Sequence, residues 1–219
     1  MRNRCALCVL AMFGVSNALA GPDWVEVDDA GSFTRDAQAV VGVGSLRTIF
    51  GSLSSGAGIP DFEDMYLIRI TDPLNFRFEI RNANFNPTLW LFNVTRADEG
   101  FGLLANDDES IDSLFPRLDR AATDGSGAAV TNAGIYAIAI TASGRAPTSR
   151  SGLIFNLLSS TEISGPDGPG GINPHDGWTG DGNGGSYLIE LEGVTYVDVP
   201  APGTLALAAG ALAARRRRG

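Results

Sequence analysis

Acidic and amide side chains are concentrated in two short stretches of this 219-residue sequence, each beside an apolar segment. Their members are, in chain order, Asp61, Glu63, Asp64, Asn106, Asp107, Asp108 and Asp112. Hard cations such as Ca²⁺ take six to eight oxygen ligands from carboxylates, amides and carbonyls on a bendable loop. The stretch 106–112 therefore predicts a Ca²⁺ site, which Asp61, Glu63 and Asp64 would complete if their strand lies alongside. The alternative is a solvated turn whose side chains bond to nearby backbone.

A second candidate site lies in the long loop 164–185, which contains nine glycines and three prolines. The loop carries His175, the only histidine of the chain, and Trp178. An exposed tryptophan stacks on sugar rings or packs over the end of a sandwich. We therefore consider His175 and Trp178 candidate ligand-binding residues for an extracellular polysaccharide. A packed or mobile insertion is the alternative.

Residues for common catalytic mechanisms are scarce. The sequence contains no Gly-x-Ser-x-Gly elbow, and its two cysteines, Cys5 and Cys8, lie at the extreme N-terminus. These features favour a non-catalytic protein. A glycan hydrolase using two carboxylates stays open as an alternative, because acidic residues are abundant and the sequence does not give their separation.

The elements that carry these residues have the apolar spacing of strands. Most of them alternate apolar and polar residues with period two, and Gly, Pro, Asn or Asp bound them. The predicted strands are 46–53, 65–70, 76–80, 88–94, 134–141 and 186–199. We therefore predict an all-β fold, an antiparallel jelly-roll-like β-sandwich, over residues 21–198.

Five segments in fixed order add a family resemblance between residues 61 and 193. They are DFEDMYLIRIT, NPTLWLFN, GFGLLANDDES, AGIYAIAIT and GSYLIELEG. This succession resembles the bacterial pre-peptidase C-terminal domain, a sandwich appended to secreted proteins. The resemblance implies a non-catalytic module for secretion, adhesion or substrate targeting, which in some members binds Ca²⁺ at acidic turns. Unlike the usual setting of that family, no protease domain accompanies the module in this sequence.

The N-terminus has the composition of a secretory signal peptide. Arg2 and Arg4 precede the apolar run 5–15, and Ala18 and Ala20 form a small-x-small cleavage site. We predict a signal peptide over residues 1–20, exported by the Sec translocase and removed by signal peptidase after Ala20. Both cysteines leave with it, so the exported domain would contain no disulfide.

The C-terminus, residues 199–219, combines a proline motif, a short apolar stretch and an arginine cluster. The motif and cluster consist of Val199, Pro200, Ala201, Pro202, Gly203, Arg215, Arg216, Arg217 and Arg218. The apolar stretch 204–214 predicts a hydrophobic helix about half as long as a bilayer core is thick. This order resembles the PEP-CTERM sorting signal, which implies recognition by an exosortase-like membrane protease. Ala201 stands where that signal has a glutamate.

The charge distribution restricts the partners. Residues 21–198 contain ten arginines against all 25 acidic residues, a net charge of −15. Nucleic acid is disfavoured as a partner, because its recognition needs basic patches. We therefore expect an exported, non-catalytic β-sandwich that is tethered transiently to the inner membrane and then resides at the cell surface or in the extracellular matrix. A carbohydrate-binding or adhesive module is the alternative function.

Overall fold

A computed structural model describes residues 22–54, 60–96 and 98–197. These residues form β-strands and one 3₁₀ turn, Pro73–Asn75, and they contain no α-helix. The strands are β1 (Trp24–Val25), β2 (Gln38–Ala39), β3 (Thr48–Leu53), β4 (Glu63–Ile70), β5 (Arg77–Ala83), β6 (Pro87–Arg96), β7 (Glu99–Asn106), β8 (Arg117–Asp119), β9 (Gly134–Ala142), β10 (Ala146–Ser149), β11 (Gly152–Leu153), β12 (Gly177–Thr179), β13 (Gly185–Glu192) and β14 (Val194–Thr195). The all-β prediction is confirmed.

The predicted terminal segments lie outside the described residues. This applies to the signal peptide 1–20 with its cleavage site at Ala18 and Ala20, and to the sorting tail 199–219. In the part of the chain that the structure describes, no helix has the length and apolar character needed to cross a bilayer.

The first large sheet contains five strands in the order β1-β3-β13-β5-β8. Its central strands have one buried and one solvated face, as their alternating residues require. In β5, Phe78 and Ile80 are buried. On the opposite face, Arg81 Nε lies 3.3 Å from Glu190 Oε2 of the neighbouring strand. Such pairs stabilise the sheet modestly, because they remain exposed to water.

The second large sheet has the order β14-β4-β9-β6-β7, with β2 also paired to β4. It is buried on both faces. In β6, Leu89 and Leu91 pack in the core that includes the first sheet, whereas Trp90 and Phe92 pack in a separate core on the other side. The continuous apolar run of β6 is the composition expected for a strand covered on both sides.

A third layer covers the outer face of the second sheet. It consists of the small sheet β11-β10-β12 and the segments around it. Ile154 and Phe155 from this layer are buried against Trp90 and Phe92. The fold is therefore sandwich-like with three layers, whereas the sequence predicted two.

The prediction that the strands pair antiparallel is wrong for two short pairs. β1 pairs parallel with β3, and β2 pairs parallel with β4, so the sheets are mixed. The connections β1 to β3 and β2 to β4 each span more than a dozen residues, long enough for parallel pairing. The N-terminal segment thereby joins an edge of each large sheet.

The predicted strand 186–199 is divided in the structure at Gly193. β13 belongs to the first sheet and β14 to the second. Gly193 has a φ of 72°, and a Cβ at this position would lie 2.5 Å from the backbone oxygen of Asp72. Glycine is therefore required where the chain passes from one sheet to the other.

Candidate functional site

Three carboxylates from separate parts of the chain meet beside the start of β4. They belong to Glu26, Asp61 and Asp64, which we call the acidic cluster. One carboxylate oxygen from each residue lies within 4.8 Å of those of the other two. Within residues 22–54, 60–96 and 98–197, this is the one group of three or more acidic, histidine or cysteine side chains that converges so closely.

The alternation of β4 directs Asp64 into the space between the two large sheets. Tyr66 and Ile68 lie on the same face of the strand and belong to the inter-sheet core. Met65 belongs to the core on the opposite face. Because residues two apart in a strand share a face, Asp64 points the same way as Tyr66. Asp64 is fully buried, with 0% of its surface exposed.

Glu26 and Asp61 reach the same point from neighbouring loops and are only partly buried. Glu26 follows β1, and its carboxylate accepts hydrogen bonds from the backbone N–H of Ser52 at 2.7 Å and of Ala30 at 3.2 Å. Asp61 precedes β4 and exchanges two backbone hydrogen bonds with Ser54, both 2.9 Å long. The cluster therefore connects the N-terminal segment, the end of β3 and the start of β4.

Two buried tyrosines adjoin the cluster from the core side. The Tyr187 hydroxyl donates to Asp64 Oδ2 at 2.5 Å, and the hydroxyls of Tyr66 and Tyr187 lie 2.7 Å apart. A phenol carries one proton, so Tyr66 donates to Tyr187 while Tyr187 donates to Asp64. The second carboxylate oxygen, Asp64 Oδ1, is buried, and no N–H or hydroxyl group donates a hydrogen bond to it.

Burial and mutual repulsion raise the pKa values of the cluster acids. Burial, followed by the charge of Glu26, raises the pKa of Asp64 to about 9. Burial, followed by the charges of Asp29 and Glu26, raises the pKa of Asp61 to about 7. The pKa of Glu26 is also raised, mainly by burial. A positive charge at this position, from protons or a metal ion, would relieve the repulsion.

The structure separates the two groups of predicted Ca²⁺ ligands. β9 and β6 lie between β4 and β7, and the register places Asp64, Ile140, Leu89 and Asn106 in one row across the sheet. Three strand spacings of about 4.8 Å put Asp64 and Asn106 about 14 Å apart. One cation therefore does not bind both groups, and the condition on which the contribution of Asp61, Glu63 and Asp64 depended is not met.

Glu63 does not point toward Asp61 and Asp64. It lies on the other face of β4, where it forms an ion pair with Arg145 and accepts a hydrogen bond from Ser32 Oγ at 3.3 Å. Arg145 also donates to the backbone oxygen of Gly180 at 2.7 Å. Glu63 therefore helps to hold the third layer on the second sheet.

Asn106 organises the turn after β7. Its side-chain Nδ2 donates to the backbone oxygens of Asp108 and Glu162, both at 2.9 Å. Its Oδ1 accepts from the backbone N–H of Arg117 at 2.8 Å. Asn106 is 1% exposed, so its amide satisfies backbone groups that water does not reach.

The three aspartates of the same turn have different surroundings. Asp107 accepts hydrogen bonds from Thr88 Oγ1 at 2.5 Å and from Ser143 Oγ at 3.2 Å. Asp108 is buried, and its Oδ1 has no hydrogen-bond partner. Asp112 is exposed. We call residues 106–112 the acidic turn. Ca²⁺ binding by these residues stays a prediction.

His175 and Trp178 pack against the outer face of the second sheet. The His175 ring lies 5.2 Å from the Phe92 ring and 4.7 Å from the Trp178 ring, measured between centroids. His175 Nε2 lies 2.9 Å from the backbone oxygen of Gly177, so this nitrogen carries the proton. The Trp178 indole donates to the backbone oxygen of Ser32 at 2.8 Å. Burial lowers the pKa of His175 to about 4.

Sequence reasoning missed Glu26, Tyr66 and Tyr187 as members of the site. Glu26 contacts residues far along the chain, so no local pattern indicates it. The position of Asp64 was detectable, because it continues the alternating series of Tyr66 and Ile68 toward the core. An acid at an inward-facing strand position is the signal that points to such a site.

The chain matches no known protein family, no curated protein and no solved structure.

Proposed function

We propose that this chain is an exported, non-catalytic β-sandwich protein of the cell surface or extracellular matrix. In this proposal the N-terminal leader directs export, and the C-terminal tail is a PEP-CTERM-type signal read by an exosortase-like protease. The observation that supports it best is that three of the polar side chains predicted to bind ligands bond within the fold. Asn106, Glu63 and Trp178 each bond to other parts of the protein.

The same contacts bear on the alternative functions. Trp178 is partly buried, its indole N–H bonds to the backbone, and its ring packs against His175, which favours a packing role over sugar binding. Asp64 is fully buried, so the three carboxylates of the acidic cluster do not face a glycan chain together. These observations favour a structural role over a carbohydrate-binding module or a carboxylate-dependent hydrolase.

We also propose a more specific fold, a jelly roll related to a known bacterial domain. A jelly-roll connection and kinship with the pre-peptidase C-terminal domain are supported by the order of the five sequence segments between residues 61 and 193. The chain has no cysteine after Cys8, so the exported domain of this proposal is stabilised by its apolar core rather than by disulfides.

Cell fractionation with mass spectrometry of both termini tests the proposal. We expect the protein outside the inner membrane, beginning at Gly21, and shortened at its C-terminus. Deletion of residues 204–219 should send the protein to a different fraction, whereas the exposed substitution Asp112→Asn should leave its location unchanged. Intact polypeptide in the cytosol, with Met1 and Gly219 both present, would contradict the proposal.

A further inference from the structure

We propose that Glu26, Asp61 and Asp64 form a Ca²⁺ site that fastens the N-terminal segment to the start of β4. The three residues lie far apart in sequence, yet one carboxylate oxygen from each lies within 4.8 Å of the others. Two oxygens bound to the same Ca²⁺ are at most about 5 Å apart, because each Ca–O distance is about 2.3–2.6 Å. The spacing of the cluster is therefore that of ligands around one ion.

The buried oxygen of Asp64 gives a second, independent indication. Asp64 is 0% exposed, and no N–H or hydroxyl group donates a hydrogen bond to its Oδ1. Its other oxygen accepts from the Tyr187 hydroxyl at 2.5 Å, so the two oxygens are not equivalent. A buried polar atom without a partner is costly, and a cation held by the three carboxylates would supply that partner.

The donor set favours Ca²⁺ over other metal ions. All three ligands are carboxylate oxygens, whereas Zn²⁺ sites in proteins usually include nitrogen or sulfur donors. Mg²⁺ requires a near-ideal octahedron at about 2.0–2.1 Å and keeps much of its water. Ca²⁺ accepts irregular oxygen shells, and Glu26 and Asp61 are partly exposed, so water can complete its coordination.

The position of the site indicates what the ion would do. Glu26 follows β1 at the edge of the first sheet, and Asp64 begins the inward-facing row of β4 in the second. An ion between them would join the two sheets directly and offset the mutual repulsion of the three carboxylates. Ca²⁺ therefore cross-links the two sheets of a domain that contains no cysteine for a disulfide.

The test is the melting temperature of the purified full-length chain, treated with a chelator and then titrated with Ca²⁺ at constant ionic strength. We expect the melting temperature to rise by about 5–10 °C at a hundredfold excess of Ca²⁺ over its dissociation constant. Mg²⁺ at the same concentration should produce a much smaller rise.

Asp64→Asn and Asp61→Asn should each abolish the response to Ca²⁺. The matched control is the pair Asp107→Asn and Asp108→Asn in the acidic turn, which should keep the full response. Asp64→Asn and Asp61→Asn are tested separately, so that a folding defect in one variant does not prevent the test. The proposal is overturned if the parent protein does not respond at millimolar Ca²⁺, or if Asp64→Asn and Asp61→Asn still respond like the parent. Because purified protein is used, failure of this test leaves the export proposal unaffected.

Discussion

The acidic turn and the acidic cluster are both rich in carboxylates, but the chain builds them in opposite ways. The turn gathers Asp107, Asp108 and Asp112 within six residues of sequence, and Asn106 binds backbone atoms there. The cluster draws its three acids from positions 26 to 64 and brings them together beside buried tyrosines. The turn is therefore assembled within one stretch of sequence, whereas the cluster is assembled by the tertiary fold.

The largest expected effect concerns the turn. Asn106→Ala should lower the free energy of unfolding by about 3 kcal/mol, because it leaves the backbone carbonyls of Asp108 and Glu162 without the donor that the buried Asn106 amide supplies. Urea denaturation measures the loss. The exposed neighbour Asp112→Asn is the control, and its effect should stay within about 0.5 kcal/mol. Equal effects of the two substitutions would show that Asn106 does not organise the turn.

A smaller loss is expected from crowding the tyrosines of the cluster. A Cβ at Gly51 would lie 2.3 Å from the Tyr187 hydroxyl and 2.6 Å from the Tyr66 hydroxyl. Gly51→Ala should therefore displace the hydrogen bond to Asp64 and destabilise the protein by about 2 kcal/mol. At Gly134 the nearest atom lies 3.8 Å from such a Cβ, so Gly134→Ala is the matched control. A harmless Gly51→Ala would mean that the tyrosines move freely.

In the absence of metal, the acidic cluster should make the free energy of unfolding depend on pH. Burial raises the pKa of Asp64 in the folded protein to about 9, far above its ordinary value of 3.8. A group with a raised folded pKa contributes stability that is present at low pH and is lost as the pH rises toward the folded value.

In chelator, the parent should lose about 1 kcal/mol per pH unit relative to Asp64→Asn between about pH 5 and pH 8. Chemical denaturation at several pH values measures this difference. Asp64→Asn should be at least as stable as the parent at pH 7, because an amide needs no proton there. Parallel pH profiles for the two proteins would contradict the protonation of Asp64.

Much of the fold was predictable from the sequence because the long strands carry their own signal. The apolar spacing of 65–70, 76–80 and 134–141 predicted β4, β5 and β9, each to within a few residues. The two-residue strands β1 and β2 carry no such pattern, and their parallel pairing depends on distant partners. One sequence feature indicates the third layer. Trp90 and Phe92 alternate with Leu89 and Leu91, so both faces of β6 are apolar and must be buried.

The candidate site was less predictable than the fold. The sequence indicates the stretch around Asp61 and Asp64 as a source of ligands but associates it with the acidic turn. The order of strands in the sheet separates the two stretches, because β9 and β6 lie between them. Glu26 joins the site through the parallel pairing of β1 with β3, which no local sequence pattern reveals.

Terbium luminescence tests most directly the claim that the cluster, rather than the turn, binds the cation. Tb³⁺ takes oxygen ligands as Ca²⁺ does, and it emits when a nearby aromatic ring is excited. The Tyr187 hydroxyl lies 2.5 Å from Asp64 Oδ2, so tyrosine excitation should sensitise an ion bound there. We predict emission that Ca²⁺ displaces, that persists in Asp107→Asn/Asp108→Asn and that disappears in Asp64→Asn. Emission that survives in Asp64→Asn and is lost in the turn variant would contradict the account.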